Sequence, residues 1–321
     1  MRRKILRAAA AARKGPTASC ATTGKHVPRP FHTFVGVDLG GARGKSTAIA
    51  RLAGGDDGRA VVQEVLPRAP GGRPWHDDAL VTYVAALGAG TAVAIDAPLT
   101  LPACIRCVEA TCPGQAACAD PAVVWLNTIG AELAAADADR DRIAAAITGS
   151  VAPAPAVRPR RRPLLSPYTH RPAAVHLRHA RGIRTRETLG QGTGPITARA
   201  AHVRRALARH GFALNDNLIE VSPPATVHAL FGPRRARGYK RDADPWETRA
   251  EIVEQLRDLQ FAPTSGFSRE QVLRNDHCFD AVLSAYTAFL WARDDWQLPA
   301  ESRELFARDG WIWTPEPARR A

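Results

Sequence analysis

Apolar residues fall into short runs along the first hundred residues, and turn-forming residues separate these runs. Four of the runs predict strands, at residues 33–38, 46–52, 60–66 and 91–95. Between the third and fourth runs, Leu80, Val84 and Leu87 recur at helical spacing and predict a helix over residues 76–87. The 91–95 run is apolar throughout, which is typical of a strand buried between neighbours. Three strands, a helix and a buried strand predict an α/β fold with a mixed sheet.

Residues 103–195 interrupt this pattern with a segment rich in cysteine, proline and arginine. We therefore expect one domain over residues 31–315 that carries this segment as an insertion. Within it we distinguish a cysteine cluster at 104–118, an alanine-rich helix near 129–147 and a Pro/Arg-rich part at 151–186. After the insertion, the periodicity predicts helices at 196–210, 246–260 and 269–293. Strands are predicted at 218–222 and, ended by a proline, at 310–314.

The net charge of +13 is concentrated in two segments. Residues 1–30 hold eight basic residues and residues 151–186 hold nine, neither segment has an acid, and the rest of the chain is mildly acidic. This distribution suits a nucleic acid held by basic arms near a cation-loaded centre, although an arginine coding bias explains it as well. We expect residues 1–30 to be a basic disordered tail; a transit peptide and a mis-assigned start codon are the alternatives.

The hydropathy of the chain argues against a membrane protein. No apolar stretch approaches the roughly 20 residues that a membrane span needs, and the basic start lacks the apolar core of a secretory signal. We therefore expect a cytoplasmic protein without a membrane partner, of undefined oligomeric state.

A carboxylate interrupts or directly follows an apolar run in three short strings. These strings are Val-Gly-Val-Asp38-Leu, Ala-Ile-Asp96-Ala-Pro and Asn-Asp276-His277-Cys-Phe-Asp280-Ala. Burying a carboxylate is costly unless a cation or hydrogen-bond donors meet it. Each acid alone fits a turn former or a helix cap, but the three together predict a shared site for divalent metal.

Strand pairing would bring two of these acids together. If the strands that end at Asp38 and Asp96 pair in parallel, their backbones lie about 4.8 Å apart and both carboxylates reach the same sheet edge. Acids at that spacing suit two metal ions about 3.5–4 Å apart. Glu220 closes another apolar strand and is a further candidate ligand at that edge.

The helix that begins near Asp276 supplies the remaining catalytic candidates. Asp276 and Asp280 are four residues apart and share a helix face, with His277 beside them. Residues 281–292 are apolar nearly all round, which predicts a buried helix with Asp280 at its mouth. We interpret Asp280 as a metal ligand, whereas Asp276 fits equally well as a partner of the helix dipole.

Four of the six cysteines cluster in one short segment, as Cys104-x2-Cys107-x4-Cys112-x5-Cys118. In a cytoplasmic chain such clustering favours a metal site, with reduced thiols or disulfides as the alternatives. Four thiolates in tight loops suit a structural Zn²⁺ or an iron–sulfur cluster, and the spacing does not separate the two.

Two further features concern phosphate binding. The string Gly40-Gly-Ala-Arg43-Gly-Lys45-Ser resembles a P-loop, but it is one residue out of frame and precedes a predicted strand instead of a helix. We reject it as a nucleotide site, while Arg43 remains a candidate contact to a nucleic-acid phosphate. Lys240 is a second candidate, because an ammonium can neutralise a phosphate near the metals. A solvated turn and a surface salt bridge are the respective alternatives.

Together these residues resemble a known family. The strings that carry the resemblance are Val-Gly-Val-Asp38, Ala-Ile-Asp96-Ala-Pro, Ile-Glu220-Val-Ser-Pro, Tyr239-Lys240 and Asp276-His277-Cys-Phe-Asp280-Ala. Over about residues 33–314 the chain resembles domain-of-unknown-function family 429 (DUF429), predicted nucleases similar to RNase H-like folds and Holliday-junction resolvases. The resemblance implies an RNase H-like mixed five-stranded sheet flanked by helices. In that sheet the first three strands are antiparallel and the fourth is parallel to the first.

The same resemblance implies a chemistry. It implies Mg²⁺ or Mn²⁺ held by Asp38, Asp280 and either Asp96 or Glu220. Our leading hypothesis is a nuclease that hydrolyses DNA or RNA by a two-metal mechanism, in which Asp38 bridges both ions and His277 shuttles a proton. An actin- or sugar-kinase-like ATPase is one alternative, because its first strand also carries an Asp-x-Gly-Gly turn. A non-catalytic nucleic-acid-binding module is the other.

Overall fold

The computed structural model of the chain describes residues 28–41, 47–55, 57–136, 165–190, 192–263 and 268–316. The predicted tail at 1–30 lies almost wholly outside these ranges, as do Arg43, Lys45 and the first part of the Pro/Arg-rich segment. No helix within the described ranges has both the length and the apolar character that a membrane crossing requires.

Seven strands of the described residues form one mixed sheet. They are β1 Thr33–Asp38, β2 Ala48–Gly54, β3 Ala60–Leu66, β4 Thr91–Ile95, β5 Leu218–Val221, β6 Leu259–Phe261 and β7 Ile312–Trp313. Their order across the sheet is β6-β3-β2-β1-β4-β5-β7. Strands β1, β2 and β3 pair in antiparallel fashion, whereas β4 is parallel to β1 and β5 is parallel to β4.

The predicted count of five strands is therefore wrong, although the predicted pairing of the first four is present. Short strands extend both edges of the sheet: β7 pairs with β5, and β6 pairs with β3. Strand β6 occupies residues where we predicted the end of the 246–260 helix, which instead ends at Gln255. Its apolar residues suit either structure, and pairing with the free edge of β3 decides between them.

Ten α-helices with both ends inside the described residues surround this sheet, and residues 131–136, within the predicted 129–147 helix, are helical as well. They are α1 Asp77–Ala86, α2 Pro121–Trp125, α3 Pro172–Arg181, α4 Gly194–Ala208, α5 Pro223–Phe231, α6 Pro233–Arg241, α7 Pro245–Gln255, α8 Arg269–Arg274, α9 Asp276–Arg293 and α10 Arg303–Asp309. A proline occupies the first or second position of each helix from α2 to α7. Proline suits these positions because its missing N–H would be unpaired there anyway.

The helix predicted over residues 269–293 is divided in two. Asn275 has an extended backbone between α8 and α9. Its side-chain oxygen accepts hydrogen bonds from the backbone N–H groups of His277 and Cys278 at 3.1 and 3.2 Å, so it caps α9. This cap fixes where α9 begins and therefore which side chains its first turns present to the sheet.

Two hydrophobic layers hold the sheet from opposite faces. Helix α9 packs over β1 and β2 on one face, where residues 281–292 are buried as the sequence predicts. Helices α1 and α4 cover the other face, against Val35, Val37 and Ile49. Because β1 is buried on both faces, the carboxylate at its end has little access to solvent except along the sheet edge.

Candidate metal centre

Strands β1 and β4 bring Asp38 and Asp96 to the same edge of the sheet. The two strands run in parallel register, with Val37 opposite Ile95, so the next residue of each chain segment is an aspartate. The backbone N–H of Asp96 donates to the Val37 carbonyl at 2.9 Å, which continues the ladder one step beyond β4. The parallel arrangement that the sequence analysis assumed is therefore the arrangement found.

A glycine in β1 lets the third acid approach. The Cα of Gly36 faces α9, where an added Cβ would overlap the Ala281 carbonyl oxygen and the Ala285 amide nitrogen. Any other residue at this position would push strand and helix apart. The close contact sets Asp280, one residue before Ala281, beside the end of β1.

The carboxylates of Asp38, Asp96 and Asp280 form one cluster. Each offers an oxygen, and these oxygens all lie within 4.8 Å of one another. Among the described residues, no other three His, Cys, Asp or Glu side chains converge in this way. Asp38 and Asp280 are buried, whereas Asp96 is partly accessible. Three carboxylates at this spacing can share one or two divalent cations.

The cluster raises the pKa of two of its members. Burial, followed by the charges of Asp38 and Asp280, raises the pKa of Asp96 well above its ordinary value. Burial raises the pKa of Asp280 to about 6, although the Lys240 ammonium beside it acts in the opposite direction. Both raised pKa values reflect the unfavourable free energy of placing several carboxylates close together away from solvent. A bound cation offsets this unfavourable free energy.

Tyr239 and Lys240 hold the Asp280 carboxylate. The Tyr239 hydroxyl donates to Oδ1 at 3.0 Å, and the Lys240 ammonium pairs with Oδ2. Burial is the largest single influence on the pKa of Lys240 and lowers it, but the contact with Asp280 and the charges of Asp96 and Asp38 together raise the pKa above its ordinary value, so Lys240 stays charged. Asp96 differs, because no described donor makes a hydrogen bond to its carboxylate.

His277 contacts the cluster through Asp38. Its Nδ1 lies 2.6 Å from Asp38 Oδ2. That hydrogen bond is the largest cause that raises the pKa of His277, and the charges of Asp38, Asp276 and Asp280 add to it, while burial acts against it. About half of the His277 side chain remains exposed, so a proton on this ring can reach a bound ligand.

Glu220 and Asp276 lie outside the cluster. Glu220 is 3% exposed and makes a bidentate ion pair with Arg171, which is equally buried. Glu220 Oε2 also accepts a hydrogen bond from the Leu99 backbone N–H at 2.8 Å. Asp276 is the first residue of α9 and does not belong to the cluster, although its charge adds to the rise in the pKa of the neighbouring His277. Of the four predicted acidic metal ligands, the structure thus brings three together and commits Glu220 to an arginine.

A cavity of about 610 Å³ opens beside Asp96. Asp96, Glu220 and Lys240 are among its lining residues. Its other charged residues are all cationic, and they are Arg171, Arg184, Arg186, Arg237 and Arg241. A negatively charged ligand is therefore attracted to the space next to the carboxylate cluster.

The cysteine segment forms an exposed loop between β4 and α2. Cys104, Cys107 and Cys112 are exposed, Cys118 is half-buried, and all four thiols are free. Burial and then the charges of the other three thiols raise the pKa of Cys104, although no three of the four thiols converge as closely as the three carboxylates do. The loop is attached to α10 through the ion pair of Arg106 with Asp309. Its predicted metal remains a prediction.

The sequence analysis did not recognise Arg171 and Tyr239 as parts of the site. Arg171 lies in the arginine-rich segment, where it resembles a solvated charge, and no local pattern connects it to Glu220. Tyr239 directly precedes Lys240, which we had selected as a candidate phosphate contact. The short helix α6 around Tyr239 gave no sign in the sequence that the tyrosine side chain would be buried. The first element described after the glycine-rich string is strand β2, which begins at Ala48, and the rejection of a P-loop requires a strand there instead of a helix.

Comparison with known proteins gives one match. No curated protein and no solved structure matches the chain. A family described as "Protein of unknown function (DUF429)" matches residues 36–304. This range includes every acidic residue of the cluster and covers more than half of the chain. The chain belongs to the DUF429 family.

Proposed function

We propose that this protein is a divalent-metal-dependent nuclease that hydrolyses phosphodiester bonds. The observation that carries the proposal is the cluster of Asp38, Asp96 and Asp280, whose oxygens lie within 4.8 Å beside a cavity lined with arginines. Carboxylates clustered next to an anion-attracting cavity are the arrangement that metal-assisted phosphoryl chemistry needs.

The donor set fits Mg²⁺ or Mn²⁺. All three groups offer oxygen, which these cations prefer, and the Asp96 carboxylate has no hydrogen-bond donor of its own within the described residues. Asp38 and Asp280 each have a partner that can move, a histidine and a lysine. When bound, such ions supply Lewis acidity to a phosphate and lower the pKa of water.

The surrounding residues have separate tasks in this proposal. Tyr239 orients the Asp280 carboxylate, since its hydroxyl has no other acceptor among the described groups. His277 carries a proton at neutral pH more readily than a free histidine, which suits donation to the leaving oxygen of a cleaved ester. Lys240 lines the cavity and contacts Asp280, so its ammonium can reach a phosphate that enters there.

The order of the central strands supports an RNase H-like fold as part of the proposal. Without its two edge strands, the sheet has the order β3-β2-β1-β4-β5, with the first three strands antiparallel and β4 parallel to β1. Two of the clustered acids follow the two central strands, and the third comes from the helix that crosses them. The family resemblance implies this same topology and placement of acids.

A cleavage assay with matched variants tests the function. Purified native protein is incubated with Mn²⁺ and labelled single-stranded, duplex and branched DNA and RNA, next to the Asp38→Asn and Asp96→Asn variants. We expect cleavage by the native chain, none by either variant, and full activity from Asp78→Asn, which neutralises an exposed acid of α1.

Other outcomes would reject the proposal in favour of a rival. Cleavage that persists in both cluster variants would exclude the carboxylate mechanism. Strand binding without cleavage under any divalent ion would favour the non-catalytic module. Hydrolysis of ATP by the native chain, lost in Asp38→Asn, would favour the ATPase.

A further inference from the structure

One wall of the cavity beside Asp96 is a single face of α6. Pro233, Ala236, Arg237, Lys240 and Arg241 line the cavity, and their spacing of three and four residues puts them on one stripe of the helix. Arg235 lies off this stripe and instead bonds the Gln255 side chain of α7 at 2.6 Å. The arginines of α6 therefore have two different roles: Arg235 contacts α7, whereas Arg237 and Arg241 line the cavity.

A second part of the cavity lining is the segment that follows α3. Residues 182–186 line the cavity and contribute Arg184 and Arg186, both of which are exposed. Burial and the neighbouring carboxylates raise the pKa of Asp96, and the charge of Arg186 acts against this rise. Arg186 is the weakest of the influences on Asp96. A second pair of arginines thus lines the same cavity as the α6 stripe.

These four arginines have no acidic partners within the part of the chain that the structure describes. No ion pair or side-chain hydrogen bond within the described residues involves Arg184, Arg186, Arg237 or Arg241. By contrast, Arg171 in the same cavity is fully paired with Glu220. Unpaired cations that line one cavity repel each other and attract a polyanion that enters it.

From this arrangement we infer that the cavity binds the sugar-phosphate backbone of a single nucleic-acid strand, with Arg184 and Arg186 from one segment and Arg237 and Arg241 from another as its phosphate contacts. The inference deepens the proposed function, on which it rests for the fate of the strand. A cavity of about 610 Å³ is of the size that encloses a small ligand. A duplex exposes its phosphates on a broad convex surface and cannot bring one strand into a cavity of this size.

The lining also determines what is recognised. Among the described residues no Phe, Tyr or Trp side chain lines the cavity, and the His228 ring is the single aromatic group in its lining, so bases find little surface on which to stack. Guanidinium groups bind phosphate oxygens in a geometry that does not depend on the base. The strand is therefore bound through its phosphates, with little sequence preference.

Binding measured as a function of salt tests this inference. Fluorescence anisotropy of a labelled oligothymidine is followed over a range of NaCl concentrations, in buffer freed of divalent ions on a chelating resin so that no strand is cut. The two double variants are Arg184→Gln with Arg186→Gln, and Arg237→Gln with Arg241→Gln. Arg234→Gln is the matched control, because Arg234 is an exposed arginine of α6 that does not line the cavity.

We expect each double variant to bind more weakly and to reduce the slope of log K against log salt by about 1.4, since each lost contact to a single strand removes about 0.7. The control should match the native chain, and a duplex of the same length should compete poorly. Unchanged slopes in both double variants, or a duplex that binds as tightly as the strand, would overturn the inference.

The result is separable from the nuclease proposal. Loss of binding in the double variants, together with no cleavage by the native chain under Mn²⁺, would reject the nuclease and keep the strand-binding cavity. Cleavage by the native chain with unchanged slopes in the double variants would keep the nuclease and reject this cavity as the strand site.

Discussion

Gly36 of β1 lies directly against Ala281 of α9, so closely that a methyl group on residue 36 would overlap the Ala281 carbonyl oxygen. The neighbouring residues along each element are the acids of the cluster: Asp38 follows two positions later, and Asp280 precedes Ala281. The spacing of Asp38 and Asp280 therefore depends on a residue that has no side chain. This contact is the clearest connection between the packing of the fold and the proposed chemistry.

Replacing this glycine should disturb both stability and metal binding. In Gly36→Ala the methyl group meets backbone atoms that cannot rotate away, so we expect the free energy of unfolding to fall by about 3 kcal/mol. Because α9 must shift outward, Mn²⁺ affinity should fall as well. Urea unfolding and calorimetric titration with Mn²⁺ measure the two effects. Gly194→Ala is the control, since nothing lies within 4 Å of a Cβ there; equal behaviour of the two variants would contradict the packing argument.

Asp96→Asn should make the metal-free protein more stable. Burial and two carboxylates raise the pKa of Asp96, so the folded chain keeps a proton that the unfolded chain has released. The native chain should then lose stability as the pH rises above 3.8, the ordinary pKa of this side chain, and through the raised folded value. The variant lacks this titration, so its advantage should grow over the same interval.

Urea unfolding of the two proteins across acidic to neutral pH, in metal-free buffer, measures this difference. Added Mn²⁺ should stabilise the native chain and leave Asp96→Asn nearly unaffected. An Asp96→Asn variant that is less stable than the native chain at neutral pH without metal would contradict this prediction. That result would mean that the Asp96 carboxylate is not destabilised by burial and by its two neighbours.

Glu220 should behave as a structural residue. Glu220→Gln leaves the Arg171 guanidinium buried without its counter-charge, and we expect a loss of about 3 kcal/mol in the free energy of unfolding. The double variant Arg171→Met with Glu220→Leu should recover most of this loss, because no charge stays unpaired. A stably folded Glu220→Gln protein that no longer binds Mn²⁺ would instead identify Glu220 as a ligand.

The cysteine loop should hold one metal centre that the cluster of aspartates does not share. We expect the purified chain to contain Zn²⁺ or an iron–sulfur cluster, and removal of that metal to lower the unfolding temperature, since thiolate sites contribute folding energy. Elemental analysis and visible absorption distinguish the two kinds of centre. Cys107→Ser should lose the metal and Cys278→Ala, a buried cysteine outside the loop, should keep it. Full metal content in Cys107→Ser would exclude the site.

Much of the site could be predicted because a buried carboxylate is rare enough to be noticed in sequence. Asp38, Asp96 and Asp280 each stand at the end or the mouth of an apolar segment, and the parallel pairing of two such strands brings their ends to one edge. Glu220 carries the same local signal as Asp96. What separates them is Arg171, which arrives from the insertion and cannot be assigned by any local pattern.

The fold was less predictable where tertiary contacts decide between alternatives. Residues 259–261 suit a helix end as well as a strand, and only the open edge of β3 makes them β6. The sequence analysis also missed helices such as α5 and α6, although the prolines at Pro223 and Pro233 marked where they begin. Short helices without a long apolar stripe give a weak periodic signal, whereas their first residues give a stronger one.

Diffraction from crystals grown with Mn²⁺, recorded with the anomalous signal of manganese, tests the central claim most directly. We predict one or two manganese peaks with carboxylate oxygens of Asp38, Asp96 and Asp280 at about 2.1 Å. The Lys240 ammonium should then have moved from Asp280 towards the cavity. The account is contradicted if the crystals show no manganese at the cluster and Lys240 still pairs with Asp280, while the protein cleaves nucleic acid in the same buffer.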